Sequence, residues 1–251
     1  MKFKIYVIFH RTLHKGFYET IPEEMFREKI TCIGVNEEIP KSYDPWFEAS
    51  VIHEHQLENY NPLLQENKYY ESSAYHHLAT SKIIDQYDYV GCLHYDMKLT
   101  KNTLANIQYN IESHRFLGCF FYFALAEGDH NVCNSFGNPN KGIAIWNAIL
   151  ENYNTFFKTS FTLRDILYNN IPMFHSFIMP KHVLQSLTPF IDGMSKEILI
   201  MLKEKKNTLP YHLERLWGFC LLLKKLEGVI PTWIPLSDII HDESVKDAKN
   251  L

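Results

Sequence analysis

The chain lacks paired cysteines. Its five cysteines are scattered through 251 residues, and no two of them stand in a C-x-x-C arrangement. An odd, dispersed set in a chain of this length excludes a disulfide framework and favours a reducing compartment. The cysteines are Cys32, Cys92, Cys119, Cys133 and Cys220.

Long hydrophobic runs are also missing. No apolar stretch approaches the roughly 20 residues that a membrane helix needs, and the sequence contains no N-x-[ST] glycosylation site. The apolar stretch in residues 1–10 is short and has no small-residue cleavage site after it, so it predicts a first β-strand rather than a signal peptide. We therefore expect no transmembrane segment and a cytoplasmic protein.

The chain has no excess of positive charge. It carries 25 basic and 29 acidic residues, for a net charge of −4. A nucleic-acid partner would need a cationic face to replace the counterions of the phosphates, so none is predicted. The sequence also lacks a glycine-rich phosphate loop and a G-x-S-x-G elbow, which argues against P-loop, dinucleotide-binding and ordinary α/β-hydrolase folds.

Apolar runs alternate with amphipathic segments. The runs at 3–9 and 89–94 are typical of buried strands, and weaker strand patterns lie at 30–35 and 49–52. Residues 71–84 have the spacing of an amphipathic helix. This alternation favours an α/β fold with a mainly parallel sheet flanked by helices. We expect one domain over 1–241, followed by a charged, frayed tail at 242–251.

The second half of the chain predicts further elements. Further strands are expected at 117–123 and 174–179, with a turn-rich loop at 127–142 between them. Helices are expected after Asn102, which would be an N-cap, over 143–153, and after Pro210. The C-terminal third is therefore predicted to be mostly helical.

Polar side chains follow the two strongest strands. His10 and Arg11 follow the first, and the run at 89–94 ends in His94, Tyr95 and Asp96. Ligands in open α/β sheets bind beyond the carboxyl ends of the strands, so these groups are expected on one rim. Arg11 suits a phosphate and Asp96 a divalent cation. The alternatives are a helix cap for Asp96, a solvated loop residue for Arg11 and a core histidine for His94.

Three segments in order resemble a group of glycosyltransferases with the GT-A fold, found in bacteria and large DNA viruses. The first is YYESSAYHHLATSKIIDQYDYVGCLHYDMKL at 69–99, which looks like the central motif of that group. HSFIMPKHVL at 175–184 resembles its acceptor-side strand, and LPYHLERLWGFCL at 209–221 its late E-R-x-x-G helix. The resemblance covers residues 3–222 and implies a GT-A-like, Rossmann-like domain.

The resemblance implies a donor site. GT-A enzymes hold a divalent ion with a D-x-D motif, which corresponds here to His94, Tyr95 and Asp96, with the first aspartate replaced. Asp96 would bind Mn²⁺ or Mg²⁺, and His94 or Tyr95 would contact the sugar or ribose. The other residues that match nucleotide-facing positions of the family are Phe9, His10, Arg11, Glu71 and Ser72.

The resemblance also implies an acceptor side. Glu214 would be the general base, because the late helix of the family points an acid into the cleft, and His212 would be a second base or a further metal ligand. The alternative for Glu214 is a surface carboxylate paired with Lys or Arg. His175 and Ser176 would contact sugar or acceptor, or be ordinary strand-end residues.

The predicted function is transfer of a sugar from a nucleoside-diphosphate sugar, with a UDP-sugar favoured, to a carbohydrate or glycoconjugate acceptor. The transfer would be metal-assisted and inverting. One rival is a metal-dependent nucleotide-sugar hydrolase. The other is a non-catalytic nucleotide- or carbohydrate-binding module, for which the missing first aspartate is the best support. The sequence leaves the sugar, the base, the acceptor, the stereochemical outcome and the oligomeric state open.

Overall fold

The computed structural model describes residues 1–113, 122–124, 139–203, 206–230 and 240–241. The turn-rich segment up to residue 138 and the tail at 242–251 lie outside the described residues, as does most of the strand predicted at 117–123. Within the described residues the strands are β1 Phe3–Phe9, β2 Ile30–Gly34, β3 Val51–His53, β4 Tyr89–His94, β5 Met97–Lys98, β6 Tyr122–Ala124, β7 Asn170–Pro172, β8 Phe177–Pro180 and β9 Ile240–His241.

Five strands form the central sheet in the order β3-β2-β1-β4-β8. The first four run parallel, and β8 joins the edge antiparallel to β4. The predicted mixed α/β class with a mainly parallel sheet is confirmed. β6 pairs with β7 in a separate ribbon rather than with the central sheet.

Helices cover both faces of the sheet. They are α1 Glu23–Lys29, α2 Pro62–Glu66, α3 Glu71–Thr80, α4 Lys101–Glu112, α5 Pro139–Phe157, α6 Leu163–Ile166, α7 Lys181–Leu202 and α8 Leu209–Leu226, with short 3₁₀ turns at Lys15–Phe17, Pro45–Ser50, Glu54–Gln56, Lys82–Ile84 and Lys206–Thr208. Among the described residues, no helix is long and apolar enough to cross a membrane.

Three predicted boundaries were wrong. The N-cap of α4 is Thr100, whose hydroxyl accepts from the Thr103 backbone, rather than Asn102. The helix predicted over 71–84 ends at Thr80, because extended Ser81 starts a new 3₁₀ turn. Residues 139–142, predicted as loop, begin α5, so this helix is longer than expected.

Successive side chains of β1 point to opposite faces of the sheet and so belong to two separate core clusters. Ile5, Val7 and Phe9 pack with the α1 and α4 side, whereas Tyr6 and Ile8 pack with α3, α5, α7 and α8. Side chains of a strand point to opposite faces in turn, so His10, which follows Phe9, falls on the α3 face. The same parity places His94 of β4 on that face, because Val90 and Cys92 lie there.

Candidate active site

The carboxyl ends of β1 and β4 meet the first turn of α3. Glu71 Oε1 lies 2.5 Å from His10 Nε2 and 3.1 Å from His94 Nε2. His94 Nδ1 lies 2.7 Å from Asp96 Oδ1. Four predicted site residues, one on α3 and three at strand ends, therefore form a single chain of polar contacts, which we call the His–Glu cluster: His10, Glu71, His94 and Asp96.

The His–Glu cluster holds a cation between two carboxylates. Burial alone would lower the pKa of His94, but its hydrogen bonds to Asp96 and Glu71 raise it to about 10. At neutral pH both ring nitrogens of His94 therefore carry protons and donate to carboxylates. Burial would raise the pKa of Glu71, yet the two histidines hold it well below its ordinary value. Only 21% of the His94 side chain is exposed, so its charge is weakly screened.

The first histidine has a partner that the sequence did not suggest. The Asn36 amide, in the segment after β2, donates to His10 Nδ1 at 2.6 Å. This leaves His10 Nε2 as the nitrogen that donates to Glu71. Asn36 adopts a positive φ of 59°, which asparagine tolerates better than most residues. The only feature of the sequence that pointed to Asn36 was its position after a predicted strand.

Strained backbone surrounds the His–Glu cluster. Tyr70, directly before Glu71, has a φ of 48°, and consecutive residues Phe174 and His175 have φ values of 64° and 42°. None of the three is glycine, and such conformations persist only where the surroundings impose them, often at functional sites. The two positive φ values also explain why β8 begins at Phe177 rather than at 174 as predicted.

The segment before β8 forms a second wall of the site. Ser72 Oγ lies 2.9 Å from His175 Nε2, and Tyr75 donates to the His175 carbonyl at 2.6 Å. Burial lowers the pKa of His175 to about 4, so its imidazole is neutral. The Ser176 hydroxyl accepts from the backbone N–H of His94 at 3.2 Å. These contacts join the predicted acceptor side to the end of β4.

Helix α8 brings Glu214 to this wall. Glu214 Oε1 accepts from the Phe174 N–H at 2.7 Å. Burial raises the pKa of Glu214 above its ordinary value despite that bond, and the charges of His94 and Glu71 also act on it. Glu214 is half-buried, and its role as the general base stays a prediction. His212 lies two residues before Glu214 on α8 and is only 4% exposed. Its role as a second base or a metal ligand stays a prediction.

The remaining predicted residues take different places. Phe9 is fully buried on the opposite face of the sheet from His10, so its side chain packs in the core, and only its backbone lies near the strand end. Tyr95 is buried, with its ring centroid 4.3 Å from that of His94. Arg11 is partly exposed just beyond His10, at the rim. A contact of Phe9 with the nucleotide stays a prediction.

At the metal position implied by the D-x-D resemblance, a histidine engages the carboxylate. Asp96 is 3% exposed, and its Oδ1 is engaged by the cationic His94. A divalent ion at Asp96 would have to displace that cation or lie beside it, which like charges disfavour. In the described part of the chain, no three His, Cys, Asp or Glu side chains are grouped so as to hold a metal ion. Use of Mn²⁺ or Mg²⁺ stays a prediction.

Comparison with known proteins supports the fold. No protein-family model matches the chain, and no curated protein matches it. Among solved structures, the apo structure of WbbM, a bifunctional glycosyltransferase, has a similar fold, with a TM-score of 0.53 and 13% sequence identity. The alignment covers 91% of this chain and 43% of WbbM. At this identity the likeness concerns the fold alone, and it agrees with a GT-A-like domain.

The cation of the His–Glu cluster predicts a pH-dependent stability. The folded pKa of His94, about 10, exceeds its ordinary value of 6.5. The contribution of His94 to the free energy of unfolding is therefore complete below pH 6.5 and is lost as the pH rises to 10. Over this range the free energy of unfolding falls by up to about 1.4 kcal/mol per pH unit. We expect the unfolding free energies of wild type and His94→Gln, measured by urea denaturation, to converge between these pH values. A constant difference across this range would mean that His94 is neutral.

Proposed function

We propose that this chain is a glycosyltransferase that takes a sugar from a nucleoside-diphosphate sugar, with UDP favoured, and passes it to a carbohydrate or glycoconjugate acceptor. The observation that carries the proposal is the His–Glu cluster at the carboxyl ends of parallel strands, where ligands bind in open α/β sheets. The fold shared with WbbM agrees with this chemistry. This chain spans less than half of that protein, so neither activity of WbbM is assigned to it.

The donor side of the reaction needs positive charge. When the bond between the sugar C1 and the diphosphate oxygen breaks, its electron pair stays on the diphosphate. A preorganised cation in a poorly solvated site stabilises that developing charge. His94 would supply it, because Glu71 and Asp96 keep it protonated, and Arg11 at the rim would bind the phosphates. No step is assigned to a metal.

The acceptor side needs a base. The acceptor hydroxyl loses its proton as its oxygen attacks C1, and a carboxylate with a raised pKa is suited to take that proton. Glu214 has such a pKa, and its bond to the Phe174 N–H fixes the orientation of its carboxyl group. A single displacement of this kind inverts the configuration at C1.

Nucleotide binding tests the proposal directly. We expect UDP to raise the unfolding free energy by about 2.7 kcal/mol at 100 times its Kd, measured by thermal denaturation. Asp96→Asn should abolish the shift, because it removes a carboxylate that holds His94. Asp192→Asn is the matched control, since Asp192 of α7 also pairs with a histidine of α3, His76, which is not part of the His–Glu cluster.

The outcomes separate the alternatives. Absence of a shift with UDP and with the other nucleoside diphosphates would contradict the proposal. A UDP shift that appears only with Mn²⁺ and disappears in Asp96→Asn would restore the expected metal role. Donor hydrolysis that does not change when acceptor sugars are added would favour the hydrolase instead.

A further inference from the structure

A second buried polar cluster lies on the other side of α3. Glu54, in the 3₁₀ turn after β3, is 0% exposed, although it carries a carboxylate. Its oxygens accept hydrogen bonds from Gln65 Nε2 at 2.8 Å, from His77 Nδ1 at 2.9 Å and from the Ser73 hydroxyl. We call this group the Glu54 cluster: Glu54, Gln65, Ser73 and His77. Neither the sequence patterns nor the proposed mechanism accounts for it.

The groups facing Glu54 act as donors. The backbone N–H of Asn61 donates to His77 Nε2 at 2.9 Å. His77 Nε2 is therefore an acceptor, and the ring proton must sit on Nδ1, which faces Glu54. Gln65 contributes two amide protons and Ser73 one hydroxyl proton. A carboxylate is the side chain that can accept from all three without offering a proton in return.

The Glu54 cluster also holds the carbonyl of Tyr70. Ser73 Oγ lies 2.7 Å and Gln65 Nε2 3.2 Å from the Tyr70 oxygen. Gln65 Nε2 also lies 2.5 Å from Ser73 Oγ. The two amide protons of Gln65 and the hydroxyl proton of Ser73 are therefore shared among four oxygens, two of Glu54, one of Tyr70 and that of the Ser73 hydroxyl. Glu54 accepts from both side chains that also donate to the Tyr70 oxygen, so it bears on their orientation. The Ser73 backbone N–H also donates to that oxygen, at 3.1 Å.

That carbonyl belongs to the strained residue beside the candidate active site. Tyr70 has φ 48° and ψ −119°, a conformation that costs about 1–3 kcal/mol in a residue other than glycine. Its ring meets His10 edge-on, with the centroids 5.7 Å apart. Glu71, which follows, places its carboxylate between His10 and His94. The orientation of the Tyr70 peptide therefore sets where α3 starts and where Glu71 points.

We infer that the Glu54 cluster is a positioning device that holds Tyr70 in its strained conformation and thereby aligns Glu71 with His10 and His94. The effect on substrate binding rests on the proposed function, whereas the effect on geometry does not. Glu54 touches none of the reacting groups, so it acts through Tyr70 and Glu71.

The substitution Glu54→Gln tests this inference with little change in volume. An amide at 54 brings two protons into a space surrounded by donors, so the bonds to Ser73 and Gln65 cannot all survive. In a crystal structure of this variant we expect Tyr70 to leave its positive φ and the contact of Glu71 with His10 to lengthen. We expect the Kd for UDP, measured by calorimetry, to rise at least tenfold.

Glu227→Gln is the matched control. Glu227 is a largely buried carboxylate at the far end of α8 that accepts from Tyr153 and Lys224. The loss of the Glu227 carboxylate should lower the free energy of unfolding. It should leave the conformation of Tyr70, the contacts of Glu71 and the Kd for UDP unchanged. A variant that is merely less stable would behave in the same way, so the comparison separates positioning from stability.

Each outcome is decisive. If Tyr70 keeps its positive φ and Glu71 its contact with His10 in Glu54→Gln, the inference is wrong. If that variant does not fold, Ser73→Ala, which removes one of the three protons, is examined by the same two measurements, with the same result expected. Failure of the wild type to bind UDP or any other nucleoside diphosphate would contradict the proposed function, while the crystal structure of the variant would still decide the inference.

Discussion

Replacing His94 by glutamine is expected to lower donor turnover by about 10²–10³-fold, the loss typical of removing one preorganised electrostatic group. The amide group of glutamine can still donate to one of the two carboxylates, but it carries no charge. The same change leaves Glu71 and Asp96 as two neighbouring buried carboxylates without their shared cation. Breaking a buried ion pair in this way costs about 3–5 kcal/mol, and we expect the lower end because His94 is 21% exposed. Release of UDP from a UDP-sugar and urea denaturation measure the two effects.

His76→Gln is the control for this prediction. His76 also pairs with a carboxylate, Asp192 of α7, but both side chains are partly exposed. Such pairs contribute about 0–1 kcal/mol, so stability and turnover should change little. Turnover is compared at a temperature well below the melting point of both variants. If His94→Gln retained full turnover there, His94 could not be the charge that stabilises the leaving diphosphate.

Replacing Gly218 by alanine is expected to destabilise the fold by about 1–3 kcal/mol, the usual cost of forcing extra atoms into a packed interior. A Cβ at 218 would lie 2.0 Å from the carbonyl oxygen of Pro172 in β7. That oxygen belongs to the backbone, so the strand itself would have to move away from α8. Thermal or urea denaturation measures the loss.

Gly193→Ala, in helix α7, is the control for this prediction. At Gly193 in α7 a Cβ would meet nothing within 4 Å. Alanine is the better helix former by about 0.8–1 kcal/mol, so Gly193→Ala should leave the protein as stable or more stable. If Gly218→Ala were equally harmless, the close approach of α8 to β7 would not be required.

This close approach gives the E-R-x-x-G pattern a physical meaning. Gly218 lets Pro172 reach the helix, and Glu214, one turn earlier on α8, accepts from the Phe174 N–H. Both residues hold the short segment that turns through two positive φ values into β8. We therefore expect displacement of this segment in Gly218→Ala to disturb the contacts of His175 and Ser176 with the end of β4.

Several site residues were within reach of the sequence. His10 and His94 follow strong strands, so the alternation of side chains places both on one face once the strands are known to be parallel. Asn36, Tyr70 and Glu54 were not predicted. Asn36 and Glu54 come from segments that follow weak strands, and the role of Tyr70 depends on a backbone conformation that no residue type signals.

The sequence by itself determined the α/β class, the positions of β1 and β4 and the polar residues at their ends, because these depend on local periodicity and on the two-residue repeat of a strand. Only the tertiary structure decided the charge states of the site residues and which side chains they contact. Glu71 meets His10 and His94 across 61 and 23 residues of chain. The pKa of a buried group is set by the few charges and dipoles within reach, and contacts over such separations exist only after the chain has folded.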